Sequence, residues 1–156
     1  MSKSLKRVKA ALSAAGIDAE PMEMGAETRT AEQAAAAAGC AIDQICKSII
    51  FQGHDSGDCI LFLTAGGNQV DAAKAAKVAG EALDRADANA VRAQTGFAIG
   101  GVAPVGHLNP IRAFWDPRLS EFPEIWAAAG TPRHIFPISP EKLQPLAEAQ
   151  VADFTA

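Results

Sequence analysis

Residues 47–67, KSIIFQGHDSGDCILFLTAGG, hold two runs of β-branched and aromatic residues joined by the polar turn residues around Gly53 to Asp58. Side chains of this kind pack well on a pleated surface, and a short polar connection between two such runs is a hairpin signal. Both runs read as central strands. The remaining segments must cover them, and with 49% hydrophobic residues in a chain of 156 there is material for one well-filled core.

The cover is helical. In SLKRVKAALSAAG, Leu5, Val8 and Leu12 fall on one stripe and Gly16 is a natural stop. A short strand is expected in DAEPMEM. TRTAEQAAAAAG opens with Thr30 three residues before Gln33, the spacing of a capping box, and ends at Gly39. NQVDAAKAAKVAG and DANAVRAQTG predict two further helices, the second capped by Asp87. Beyond them we expect a strand near Ile111 to Phe114 and an amphipathic piece carrying Leu119, Phe122, Ile125 and Trp126. A strand HIFPIS and a last helix capped by Ser139 with Pro140 in its first turn complete the chain. No linker, repeat or low-complexity tract divides it, which predicts a single domain over residues 1–156.

Residues 96–107, GFAIGGVAPVGH, carry four glycines and a proline and almost no charge. Ordering glycine costs about 0.5 to 1 kcal/mol more than ordering alanine, so the cluster implies unusual dihedrals or a backbone that a ligand approaches closely. The spacing does not satisfy a dinucleotide fingerprint, because Pro104 interrupts the helix that should follow. It holds no nucleophile elbow either, since no serine lies near it. His54, His107 and His134 lack the spacing of a helical metal pair, and Cys40, Cys46 and Cys59 are odd in number without a C-x-x-C, so neither metal nor cofactor is called for. No apolar signal core follows the basic first residues, and no stretch is long enough for a membrane span; the expectation is a cytoplasmic protein without membrane contact. A net charge of −4 argues against broad coating of DNA or RNA. Local basic patches remain, Lys3, Lys6 and Arg7 on the first helix and Lys74 and Lys77 on the third, each readable as a solvated face or as a phosphate contact. Lys47, a long charged side chain at the head of an apolar strand, either snorkels from the sheet edge or serves a ligand.

Taken together, Lys47 and Ser48 before an apolar strand, GGNQVD before a helix, the G-x-x-x-P pattern from Gly100 to Pro104, and WAAAGTPRHIFPISPEKL resemble the YbaK/ProX family. Its members are freestanding relatives of the editing domain inserted in bacterial prolyl-tRNA synthetases, and the likeness runs from about Thr30 to Leu146. It implies an α/β (α+β) domain with a mixed, barrel-like sheet surrounded by helices. The implied activity is hydrolysis, in trans, of mischarged aminoacyl-tRNA, with the acceptor end of the tRNA and prolyl-tRNA synthetase as partners. The family assigns its strand lysine, here Lys47, to the terminal adenosine and its phosphate. The backbone from Gly100 and Gly101 through Val102 and Ala103 to Pro104 is assigned to the aminoacyl group. Thr30, Ser48, His107, Gly130 and His134 are expected around the same substrate, and Lys6, Arg7, Lys74 and Lys77 along the tRNA. The resemblance further implies attack by water aided by the substrate's own ribose hydroxyl, with glycine N–H groups stabilising the oxyanion.

Members that remove cysteine from tRNA-Pro carry threonine after the lysine and an aspartate near the C-terminal strand. Ser48, Arg133 and His134 depart from that pattern. GGVAPVGH and AAGTP are closer to the branches acting on alanine, 2-aminobutyrate, serine or threonine. A Cys-tRNA deacylase, a module that binds aminoacyl-tRNA or a nucleotide without turnover, and a protein-interaction domain are the alternatives.

Overall fold

A computed structural model describes residues 2–156. The chain order is α1 (Lys3–Ala14), β1 (Met22–Glu23), α2 (Ala31–Ala38), β2 (Ile45–Gly53), β3 (Cys59–Ala65), α3 (Ala72–Ala79), β4 (Leu83–Arg85), α4 (Ala88–Thr95), β5 (Arg112–Trp115), β6 (Ile125–Thr131), β7 (His134–Ile138), α5 (Pro140–Leu146) and β8 (Ala149–Val151). All eight strands join one mixed sheet in the order β1-β7-β6-β2-β3-β5-β8, with β4 added beside β2. The expected α/β architecture, a mixed sheet with helices around it, is what is found.

The hairpin is the spine. β2 and β3 pair antiparallel from Cys46↔Ala65 to Gln52↔Cys59, and every residue of β3 is buried. Alternation divides their side chains between two cores. Leu61 and Leu63 enter the larger one with α1 residues Leu5, Val8 and Leu12 and with Trp115, Phe97 and Phe136. Ile60 and Phe62 enter a smaller one beneath α3, completed by Phe114 and by Phe154 near the C-terminus. Phe62 is its centre, stacked on Phe114 at 5.4 Å and edge-on to Phe154 at 5.0 Å.

Helix boundaries follow their capping chemistry. Thr30 accepts from the Gln33 N–H while the Gln33 side chain accepts from the Thr30 N–H, the reciprocal box expected for α2. Asp71 and Asp87 cap α3 and α4 by accepting from the third N–H beyond them. Ser139 precedes α5 but, contrary to expectation, its side chain makes no capping bond; Pro140 stands at the first position, where the N–H it lacks would have no partner within the helix.

One segment is corrected. The amphipathic stretch from Leu119 to Trp126 is a 3-10 turn over Pro117–Glu121 followed by the start of β6, a strand that continues through Ala127, Ala128, Ala129 and Gly130. Alanine has little strand preference of its own, but here Ala127 and Ala129 are fully buried where α1 crosses close to the sheet, and pairing with β7 decides the conformation. The three-residue strands β4 and β8 are likewise absent from the expected elements; β4 pairs with the end of β2, and β8 with β5.

The smaller core makes a direct stability prediction. Phe154→Ala removes a fully buried ring close to the C-terminus, and should cost about 3 to 5 kcal/mol in denaturant unfolding, as large-to-small aromatic changes in cores do.

Candidate functional site

β2 is paired to β3 along one edge, while its other edge is shared. Ile45 and Cys46 pair in parallel with Trp126 and Ala127 of β6, and Phe51, Gln52 and Gly53 pair with β4. Between them, residues 47–50 have no strand partner on that side, and β2 and β6 diverge. A cleft of about 600 Å³ occupies the fork. Its walls are β2 from Ile45 to Ile49, β6 from Trp126 to Gly130, the N-terminal end of α2 with Thr28 to Glu32, and the glycine segment from Ala98 to Val102.

Lys47 enters this cleft half-buried. Its ammonium donates to the Asn68 carbonyl at 2.6 Å. Burial pushes its pKa below the ordinary 10.5, and Glu32, Asp116 and Asp43 pull in the opposite direction by favouring the charged form. The three groups that oppose the burial are all acids, and no neighbouring cation adds to the lowering.

The glycine segment forms the opposite lip. Gly100 has φ 84°, a left-handed conformation that a Cβ would strain. Gly101 donates its N–H to the Ala98 carbonyl at 2.9 Å and closes a turn, so that donor is already used. The N–H of Gly100 makes no hydrogen bond among the described residues. Of the two glycines expected to stabilise an oxyanion, Gly100 keeps its donor available. Val102 lines the cleft just behind them; Ala103 and Pro104 are buried under the loop and do not reach it.

The loop is clamped from below. Arg7 donates to the Gly96 carbonyl and lies over the Phe97 ring, its guanidinium carbon 4.9 Å from the centroid. Arg7, expected along the tRNA, thus has its guanidinium engaged with the glycine segment. His107 sits edge-on to the same ring and donates from Nε2 to the Ala103 carbonyl at 2.7 Å. It holds the loop and is not a wall of the cleft. On the far side, Gly130 at φ 90° lies against Phe97 and α1; a Cβ there would fall 2.9 Å from the Phe97 ring and 3.0 Å from Ser4. This contact brings β6 and the glycine segment together.

The other expected residues divide in the same way. Thr30 lines the cleft, with its hydroxyl accepting the capping bond. Ser48 lines it through β2, but its Oγ is enclosed and unpartnered among the described residues, opposite Leu63 and facing the larger core. His134 lies one layer out, its Nδ1 2.6 Å from the Thr131 hydroxyl, and Thr131 is the residue that reaches the cleft. Lys6 and Lys77 are exposed, away from the cleft walls. Lys74 is partly engaged, bonded to the Thr155 carbonyl at 2.9 Å and 3.4 Å from Asp153.

Sequence reasoning missed Arg29, Glu32, Asn68 and Asp116. Arg29 and Glu32 are ordinary-looking charges at the start of an alanine-rich helix, and only the fold brings them to the cleft. Asn68 lies inside GGNQVD, a stretch recognised as a motif without a role for any one residue.

Comparisons with known proteins bear on the family and the fold. Residues 25–146 match the family described as the aminoacyl-tRNA editing domain. A crystal structure of a candidate trans-editing enzyme for prolyl tRNA synthetase superposes with a TM-score of 0.92 at 45% identity, covering 100% of this chain and 99% of the other. The hypothetical protein APE2540 superposes with a TM-score of 0.86 at 27% identity, over 96% and 99% of the two chains. The uncharacterized protein YwhH of Bacillus subtilis (strain 168) is 28% identical over 148 residues, 95% of this chain and 94% of its own.

The clamp predicts a pH dependence. Burial, with the nearby Arg7 charge, lowers the His107 pKa below the ordinary 6.5, and its bond to Ala103 offsets this in part. A base whose folded pKa is depressed binds protons more readily when unfolded, so its stability contribution is complete above pH 6.5 and is lost as pH falls below it. Thermal unfolding should show parent and His107→Asn diverging between pH 7.5 and pH 5, the parent losing more. The exposed His54–Asp84 pair, whose shift has the opposite sign, is common to both proteins and cancels.

Proposed function

The chain belongs to the aminoacyl-tRNA editing domain family, and from that premise we propose that it is a trans-editing deacylase. Its substrate in this reading is a mischarged tRNA, tRNA-Pro or one like it, bearing a small amino acid such as alanine, 2-aminobutyrate, serine or threonine. The observation that carries the proposal is the fork itself, a cleft large enough for an aminoacyl group and a nucleoside, lined by Lys47, whose ammonium is held by the Asn68 carbonyl, and by Gly100, whose N–H has no partner among the described residues.

In this reading Lys47 pairs with the phosphate and ribose of the acceptor end, a task for a point charge on a flexible stem. Its second contact, the Asn68 carbonyl, fixes the ammonium without neutralising it. The aminoacyl group then lies between β6 and the glycine segment. Ala34, Ala127, Ala128 and Gly130 give that end of the cleft short walls, which suits a small side chain.

Water attacks the ester carbonyl, and the Gly100 N–H stabilises the oxygen as it becomes negative. The bond from the acyl carbon to the ribose oxygen breaks; that oxygen leaves with a proton, giving free amino acid and tRNA. A protein nucleophile is not needed. Cys46, the thiol on the cleft wall, is a poor one because burial drives its pKa far up and keeps it protonated. Support for trans editing as opposed to synthetase-bound editing comes from the candidate trans-editing enzyme that matches end to end.

A panel of tRNAs charged with alanine, 2-aminobutyrate, serine, threonine, cysteine and proline tests this. Deacylation of one or more small-residue tRNAs, with cognate prolyl-tRNA spared and activity abolished in Lys47→Ala, is expected. Binding without turnover across the panel would make the protein a recognition module instead.

The two glycines separate the donor from the turn. Gly100→Ala, strained at its left-handed φ, should lower kcat by about tenfold or more by displacing the donor. Gly101→Ala meets only the Ala98 carbonyl at 3.7 Å and should stay within about threefold of the parent.

A further inference from the structure

Lys47 is gripped by a main-chain carbonyl, and a carbonyl in a turn is only as well placed as the turn. The one that holds it belongs to Asn68, just past the end of β3, in the connection to α3. Two acids fix this turn. Asp116, only 2% exposed, follows β5 and accepts through one carboxylate oxygen from the Asn68 side-chain amide at 2.8 Å and the Ala65 N–H at 3.1 Å. Its other oxygen accepts from the Arg118 N–H at 3.0 Å. Asp43, from the 3-10 turn before β2, accepts from the Gly67 N–H at 2.8 Å and from the Arg118 guanidinium at 3.0 Å. The Asn68 N–H closes the turn onto the Ala65 carbonyl at 2.9 Å.

We infer that Asn68 and Asp116 are positioning residues for Lys47: the buried Asp116 carboxylate orients the Asn68 amide, and the Asn68 carbonyl thereby holds the Lys47 ammonium aimed into the cleft. This rests on the reading of Lys47 as the group that meets the acceptor end. Neither Asn68 nor Asp116 lines the cleft, so neither touches the substrate.

The arrangement has a chemical logic beyond packing. A buried carboxylate needs hydrogen bonds to be tolerated, and Asp116 obtains two of its three from the turn it organises and the third from the Arg118 N–H. A half-buried ammonium needs an acceptor that leaves it charged, and a neutral carbonyl does this where a direct carboxylate partner would compete with a phosphate. Asn68 stands between the two, separating anion from cation while linking their positions. The charges that bear on Lys47 come from three elements: Glu32 of α2, Asp43 and Asp116, while Arg29 lines the cleft and Arg118 is engaged with Asp43.

The test uses Asn68→Ala and Asp116→Asn. Asn68→Ala retains the main-chain carbonyl and lies at a partly exposed position, so it decides the question even if Asp116→Asn folds poorly. In protein labelled with 13C-lysine, the Lys47 side-chain resonance, assigned by its loss in Lys47→Arg, is followed against pH. The expected result is a shifted Lys47 titration midpoint in Asn68→Ala, where no charge is lost and the Asp116 charge is retained, and a fall of about 10- to 100-fold in kcat/KM for deacylation in both variants. The double variant should be no worse than the worse single one. Folded variants whose Lys47 midpoint is unmoved and whose kcat/KM stays within about twofold would overturn the inference, whatever their melting temperatures. If Lys47→Ala itself deacylates normally, the assigned role of Lys47 in the reaction fails, and the titration still decides whether Asn68 and Asp116 hold it.

Discussion

A β-strand has two edges, and β2 cannot give the same stretch of one edge to two neighbours. Its full pairing with β3 uses one side. On the other, β6 takes the first two positions and β4 the last three, and the residues between are left to the cleft. Unpaired backbone within a sheet ordinarily invites aggregation or a bulge. Here the gap is flanked by α2 and by the glycine segment, which shield it from another chain while leaving room for a ligand. The position of Lys47, one residue into the gap, follows from the register of the β2 and β6 pair.

The two lips of the cleft are held by different physics. Lys47 depends on electrostatics and hydrogen bonding transmitted through the turn after β3. The glycine segment is centred on packing, with Phe97 fully buried and Arg7, His107 and Gly130 against its ring, and two hydrogen bonds, from Arg7 to Gly96 and from His107 to Ala103, give it a smaller polar component of its own. Apolar burial of a large ring resists small displacements, whereas a charged network in a partly wet site responds to pH and salt.

Local chemistry was legible in the sequence. The capping box at Thr30 and Gln33, the helix stops and the central hairpin all follow from residues close together in the chain, and the expected mixed sheet with surrounding helices followed from the family likeness. Lys47 and Gly100 stood out because each violates a local preference, a charge in an apolar strand and backbone without side chains. What could not be read depended on distance. β6 is alanine-rich and becomes a strand through pairing with β7 and close packing under α1. Arg7 looked like a surface cation because its partners, Gly96 and Phe97, are remote in sequence. Asp116 resembled any acid after a strand, since nothing near it indicates that its carboxylate is buried beside Asn68.

The parallel pair Ile45↔Trp126 and Cys46↔Ala127 joins opposite halves of the chain, and the cleft exists only once it has formed. Pairings of such long sequence separation close slowly, because the entropy of the intervening loop is lost before the contact returns anything. The β2–β3 hairpin and the capped helices can form from local information, so a chain still emerging from the ribosome can hold much of its secondary structure while having no site at all. Competence to bind then comes with this long-range pairing and not with the hairpin.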